Sequence, residues 1–107
     1  MRTNISKAVG RLVEDDHRVW RVILFGSVAE RRATPASDVD LVVVVTGSDR
    51  PVHERSLPYV KYFAGIGLGT DLFVYTRDEV RSLDIPLYRT AFKRGELLFE
   101  RRTTPGP

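Results

Sequence analysis

Five consecutive residues, Leu41-Val42-Val43-Val44-Val45, have wholly apolar side chains, and two aspartates, Asp38 and Asp40, stand one residue apart where the run opens. Branched side chains of this kind lose freedom in a helix and pack well on a pleated surface, so the run reads as a strand over 38–45. With no polar position to turn outward, that strand must be covered on both faces. A sheet with helices packed on it satisfies the demand.

The rest of the chain supplies the helices. Ile5, Val9, Leu12 and Val13 recur at helical spacing over 3–16, with Thr3 or Asn4 placed to cap the N-terminus. "VWRVILF" (19–25) reads as a second buried strand, and Ser27 to about Arg32 as a short helix before the loop "RATPAS". Residues 53–64 suggest another helix, which Pro58 must delay or kink. "DLFVYT" (71–76) is a third strand, Asp78 and Glu79 open a short helical turn, and Pro86 and Gly95 bracket a last helix before the strand "ELLFE". The expected architecture is α/β: a small mixed β-sheet of three to four strands with helices packed on it. One domain fills 1–100, and 101–107 ("RRTTPGP") reads as a flexible C-terminal tail.

Composition excludes several chemistries. The 107 residues contain no cysteine, which removes disulfides, zinc–thiolate sites and thiol catalysis and suits a reducing cytoplasm. No segment approaches the roughly 18–20 apolar residues of a membrane span, and the N-terminus lacks a signal-peptide core, so a cytoplasmic protein is expected. The net charge of +3 permits an anionic ligand without choosing one.

The two aspartates pose the chemical question. Alternate residues of a strand face the same way, about 6.6 Å apart along its axis, so Asp38 and Asp40 present both carboxylates to one side. Like charges so placed need compensation, which a hard divalent cation such as Mg²⁺ supplies. On D-x-D alone, which is short and common, a turn-ending aspartate beside a solvent-facing one is the more frequent arrangement. Two further features bear on the choice. "FGS" (25–27) follows a strand: Gly26 permits a tight turn, and the backbone N–H groups after it, with the Ser27 hydroxyl, suit a phosphate. Asp71 opens the third strand, where it can bring a third carboxylate to the pair.

The long pattern "LFGSVAERRATPASDVDLVV" resembles the signature of the nucleotidyltransferase superfamily typified by DNA polymerase β: Gly-Ser, about ten residues, then D-x-D. At this size the chain is similar to the minimal nucleotidyltransferases, the antitoxin-type partners of HEPN toxins. The resemblance implies that Gly26 and Ser27 bind the triphosphate, and that Asp38, Asp40 and Asp71 hold two Mg²⁺ ions and serve as the catalytic set. It implies an adenylyltransferase that moves AMP from ATP to a macromolecular acceptor, a HEPN-type toxin protein, through a two-metal displacement. Where the family usually reads Ala-Arg-Gly, this chain has Ala29, Glu30 and Arg31, and an acid near the triphosphate weakens anion binding. That departure motivates an alternative: an antitoxin of weak activity that acts by direct contact with its partner. A nucleotide-sugar D-x-D site is a third reading, opposed by the upstream "FGS". A nucleic-acid acceptor is permitted by the charge but not favoured. "GIGLG" (65–69) follows a helix and lacks dinucleotide-binding spacing, and His17 and His53 have no catalytic company.

Overall fold

A computed structural model describes residues 2–26, 39–66 and 69–102. Its elements are α1 (Arg2–Asp15), β1 (Val19–Phe25), β2 (Val39–Val45), β3 (Thr70–Thr76), α2 (Arg77–Ser82), α3 (Pro86–Arg94) and β4 (Glu96–Glu100). The strands form a four-stranded sheet in the order β3-β2-β1-β4. β1 runs antiparallel to β2 and β4, while β2 and β3 are parallel, so the sheet is mixed as expected.

The aliphatic run occupies β2, at the inner side of the sheet, and both its faces are covered. Val39, Leu41, Val43 and Val45 join Ile5, Ala8, Val9 and Leu12 of α1 in one core layer, with Tyr59, Phe63 and Ile66 closing it. Val42 and Val44 face the other way, onto Trp20, Ile23 and Ala91 of α3. Every residue from Leu41 to Val45 is at most 1% exposed. Burying each such side chain contributes about 1.5–3 kcal/mol, which makes β2 the energetic centre of the fold.

Local signals set the element ends. The Thr76 hydroxyl accepts from the Glu79 N–H while the Glu79 carboxylate accepts from the Thr76 N–H, a reciprocal cap that starts α2 directly after β3. Pro86 opens α3 and Gly95 closes it. A Cβ on Gly95 would sit 2.5 Å from both the Ala91 and Leu24 carbonyl oxygens, so only glycine lets the chain pass from α3 into β4 this close to β1.

The helix expected over 53–64 is instead two 3-10 segments, Val52–Glu54 and Val60–Phe63, joined by turns. Pro58 lacks an N–H and disfavours helical geometry at the residue before it, so continuous α-helix fails there. Arg101, within the segment expected to be a tail, is tied to the body. Its N–H donates to Trp20 O, and its guanidinium donates to Val19 O at 3.0 Å and Val13 O at 2.8 Å. It thereby satisfies a carbonyl in the last turn of α1, where a cation also suits the helix dipole. Among the described residues, no helix is long and apolar enough to cross a membrane.

Candidate active site

Three of the five residues singled out in the sequence come together at one end of the sheet. Phe25, the last residue of β1, pairs with Asp40, and Asp40 pairs with Asp71 across the parallel β2–β3 ladder. Residues opposite one another in a sheet share a face, so Asp40 and Asp71 point to the same side from adjacent strands. Asp71 is the second residue of β3, not the first, because β3 starts at Thr70. Asp71 is exposed and Asp40 half-buried.

Gly26 completes the corner. It has φ +81°, the left-handed region that favours glycine, and a Cβ there would overlap Asp40 Oδ2 and stand 3.3 Å from Asp40 Cγ. The turn leaving β1 therefore presses its backbone directly against the Asp40 carboxylate. Ser27 and Asp38, with the short helix and loop expected between them, lie outside the described residues.

The floor of this corner is aromatic. Phe25 and Phe73 lie on the same sheet face as the carboxylates, two positions inward on β3 in the case of Phe73, with ring centroids 5.9 Å apart. Sequence periodicity did not reveal this pair, since only the parallel register sets Phe73 beside Val42, diagonally across β2 from Phe25, which pairs with Asp40. Two carboxylates on a shared face repel one another, and water at the exposed Asp71 screens part of that repulsion. The donor set is all hard oxygen, which fits a divalent cation of the Mg²⁺ class. Among the described residues no group of three or more such side chains is placed to hold a metal ion.

At the opposite end of the sheet a polar cavity of about 250 Å³ is lined by Arg18, Ser48, Arg50, Arg55 and Tyr59, among others. Two of its arginines are paired. Arg55 binds Glu79 at 2.6 Å, and Asp16 accepts from Arg18 and from the Tyr59 hydroxyl at 2.8 Å. Burial, together with the bond to Asp16, pushes the Tyr59 phenol up to about 12. This cluster holds loops to α1 and is a structural network.

The family described as polymerase beta, nucleotidyltransferase matches residues 7–104, nearly the whole chain. The protein belongs to this nucleotidyltransferase family. No curated protein sequence matches it, but solved structures do. A protein assigned as a nucleotidyltransferase from Sulfolobus solfataricus superposes with a TM-score of 0.67 at 20% identity, over 92% of this chain and 79% of that one. A toxin–antitoxin complex with AMP-PNP gives 0.68 at 19% identity, over 91% and 74%. A mutant of the toxin–antitoxin MntA–HpeT with two aspartates changed to glutamate gives 0.65 at 17%, also over 91% and 74%. At such identities the likeness establishes the nucleotidyltransferase fold.

Proposed function

We propose that this nucleotidyltransferase transfers AMP from ATP to a protein acceptor, a HEPN-type toxin, and is the antitoxin of that pair. The observation that carries the chemistry is the register of Asp40 opposite Asp71, closed off by the left-handed Gly26. The toxin–antitoxin neighbours, one of them with AMP-PNP, support the nucleotide and the class of partner.

In this reading Gly26 and Ser27 offer backbone N–H groups and a hydroxyl to the triphosphate. Asp38, Asp40 and Asp71 form the carboxylate set that holds Mg²⁺. Mg²⁺ held there would supply charge neutralisation on the triphosphate and polarisation of the α-phosphate. The acceptor hydroxyl oxygen attacks the α-phosphorus, the bond to the bridging oxygen of the β-phosphate breaks, and pyrophosphate leaves. Asp71, the exposed carboxylate, takes the proton of the attacking hydroxyl. The Phe25–Phe73 floor excludes water from the inner side of the site and strengthens its electrostatics.

The deciding experiment incubates the protein with ATP labelled at the α-phosphate, Mg²⁺ and a lysate of its source organism, beside an Asp40→Asn variant. Label on one protein band that disappears with the variant supports the proposal and identifies the acceptor by mass. Label on RNA overturns the protein acceptor. No label from a folded protein overturns the transfer and leaves an antitoxin that acts by contact.

A further inference from the structure

The sheet face that carries Asp40 and Asp71 continues into a surface that its own fold leaves open. Val80 of α2, Leu83 and Ile85 of the following turn, and Tyr88 and Phe92 of α3 line a groove of about 330 Å³. Leu83 is 59% exposed and Phe92 55%. Leu97 of β4, in register with Ile23 and so on the same face, is 50% exposed and extends the patch. Three large apolar side chains on one face of a small domain mark an interaction surface more than chance exposure does.

The charges around the groove select the occupant. Arg89 is neutralised by Asp84 at 2.8 Å, and Glu79 is committed to Arg55. Lys93 lines the groove and Arg94 is exposed at the end of the same helix, and among the described residues neither has a carboxylate partner, while the Arg81 guanidinium lies over the Trp20 ring, 5.4 Å from its centroid. Against them stands Asp78, exposed in the first turn of α2. The rim is therefore basic around an apolar floor. Nucleic acid would leave the floor unsatisfied, and in a two-fold pair Lys93 and Arg94 of each copy would outnumber Asp78, the exposed carboxylate of α2. An amphipathic helix with an apolar stripe flanked by acidic residues satisfies both floor and rim.

We infer that the α2–α3 groove docks an acidic amphipathic helix of the protein on which this chain acts, with Leu83 and Phe92 as the anchors. The inference rests on the proposed protein acceptor and adds where that acceptor is held. The groove shares the sheet face of the carboxylates, and α3 runs toward their end, since Gly95 abuts Leu24 and β4 begins opposite it. A helix seated there leaves the rest of its protein on the side from which Asp71 is reached.

The test uses the intact protein and a designed helical peptide with leucines along one face and flanking glutamates, beside a lysine-flanked counterpart. Fluorescence anisotropy gives affinity and amide chemical shifts give location. The expected result is saturable binding of the glutamate peptide, at least tenfold tighter than the lysine peptide, with shifts centred on 80–93. Leu83→Ser and Phe92→Ser, both at exposed positions that leave the core intact, each weaken it at least tenfold, and Lys93→Glu reverses the preference between peptides. Equal binding of both peptides, shifts elsewhere, or displacement of the peptide by RNA overturns the proposal. So does a concentration-dependent dimer of the unliganded protein that Phe92→Ser dissolves. No step of the assay uses ATP, so failure of AMP transfer leaves this surface standing. Conversely, AMP transfer that survives with peptide binding absent removes the surface alone.

Discussion

Gly26 and Asp40 are in backbone-to-carboxylate contact: the left-handed turn at φ +81° leaves no room for a side chain before Asp40 Oδ2. Gly26→Ala must therefore strain the backbone, at about 1–2 kcal/mol, and push the carboxylate aside. A displacement near 1 Å at reacting groups lowers rates by about 100-fold. Urea denaturation should show the modest stability loss, and α-phosphate label transfer the larger loss of activity.

Asp40 and Asp71 repel each other across the parallel ladder, and like charges directly opposite destabilise a sheet by about 0.2–1 kcal/mol. Asp71→Asn should raise the Tm measured without divalent cations while lowering transfer by about 10²–10⁴, the range of a lost general base. Mg²⁺ should raise the Tm of the native protein more than that of the variant. A variant that melts lower than the native protein without metal would contradict the repulsion.

Arg55 is buried at 8% exposure, bound to Glu79 Oε1 at 2.6 Å and to Arg50 O at 3.1 Å. Arg55→Met leaves Glu79 without its cation. Because the Glu79 side chain is 25% exposed, water recovers part of that loss, and the cost should be about 2 kcal/mol, below the range for fully buried pairs. The hydrogen bond from Arg55 holds the Glu79 carboxyl below its ordinary 4.5, so its stabilisation is complete above that pH and is lost as pH falls through the lowered value. Chemical denaturation against pH should show a shallower acid limb in Arg55→Met.

Tyr59 gives the mirror image at high pH. With its phenol at about 12 when folded and 10 in its ordinary state, the unfolded chain loses the proton first. The stabilisation from neutral Tyr59 is present below pH 10 and declines between about 10 and 12. Tyr59→Phe should flatten that decline and lower stability at neutral pH by about 0.5–1.5 kcal/mol, the net worth of its hydrogen bond to Asp16. Ultraviolet titration of the phenols, native minus variant, locates the late-titrating group.

What the sequence made legible were the features that residue types enforce locally. The all-aliphatic run of β2, the "VWRVILF" strand and the i, i+4 apolar stripe of α1 all appear within a residue or two of their expected bounds. Pro86 and Gly95 announced α3 because one lacks a donor and the other lacks a side chain. Strand order was not legible, since β2's neighbours are chosen by long-range packing and not by anything within it. The parallel pairing that sets Asp71 opposite Asp40, and Phe73 on their floor, belongs to that class. The irregular 52–63 segment misled for a different reason. Its buried Tyr59 and Phe63 keep the four-residue spacing of a helix, while Pro58 breaks the backbone that would normally underlie it.

Among the described residues β3 ends the sheet, with β2 on one side and no further strand on the other. Asp40 thus sits on the most firmly held strand of the protein and Asp71 on one of its two outermost. Edge elements detach at lower free energy than the body they belong to. The carboxylate pair can accordingly be dismantled by peeling one strand, with the α1–β1–β2 core still standing. Amide hydrogen exchange along Asp71, Phe73 and Tyr75, whose N–H groups face β2 in this register, would then time the disappearance of the site, separately from global unfolding.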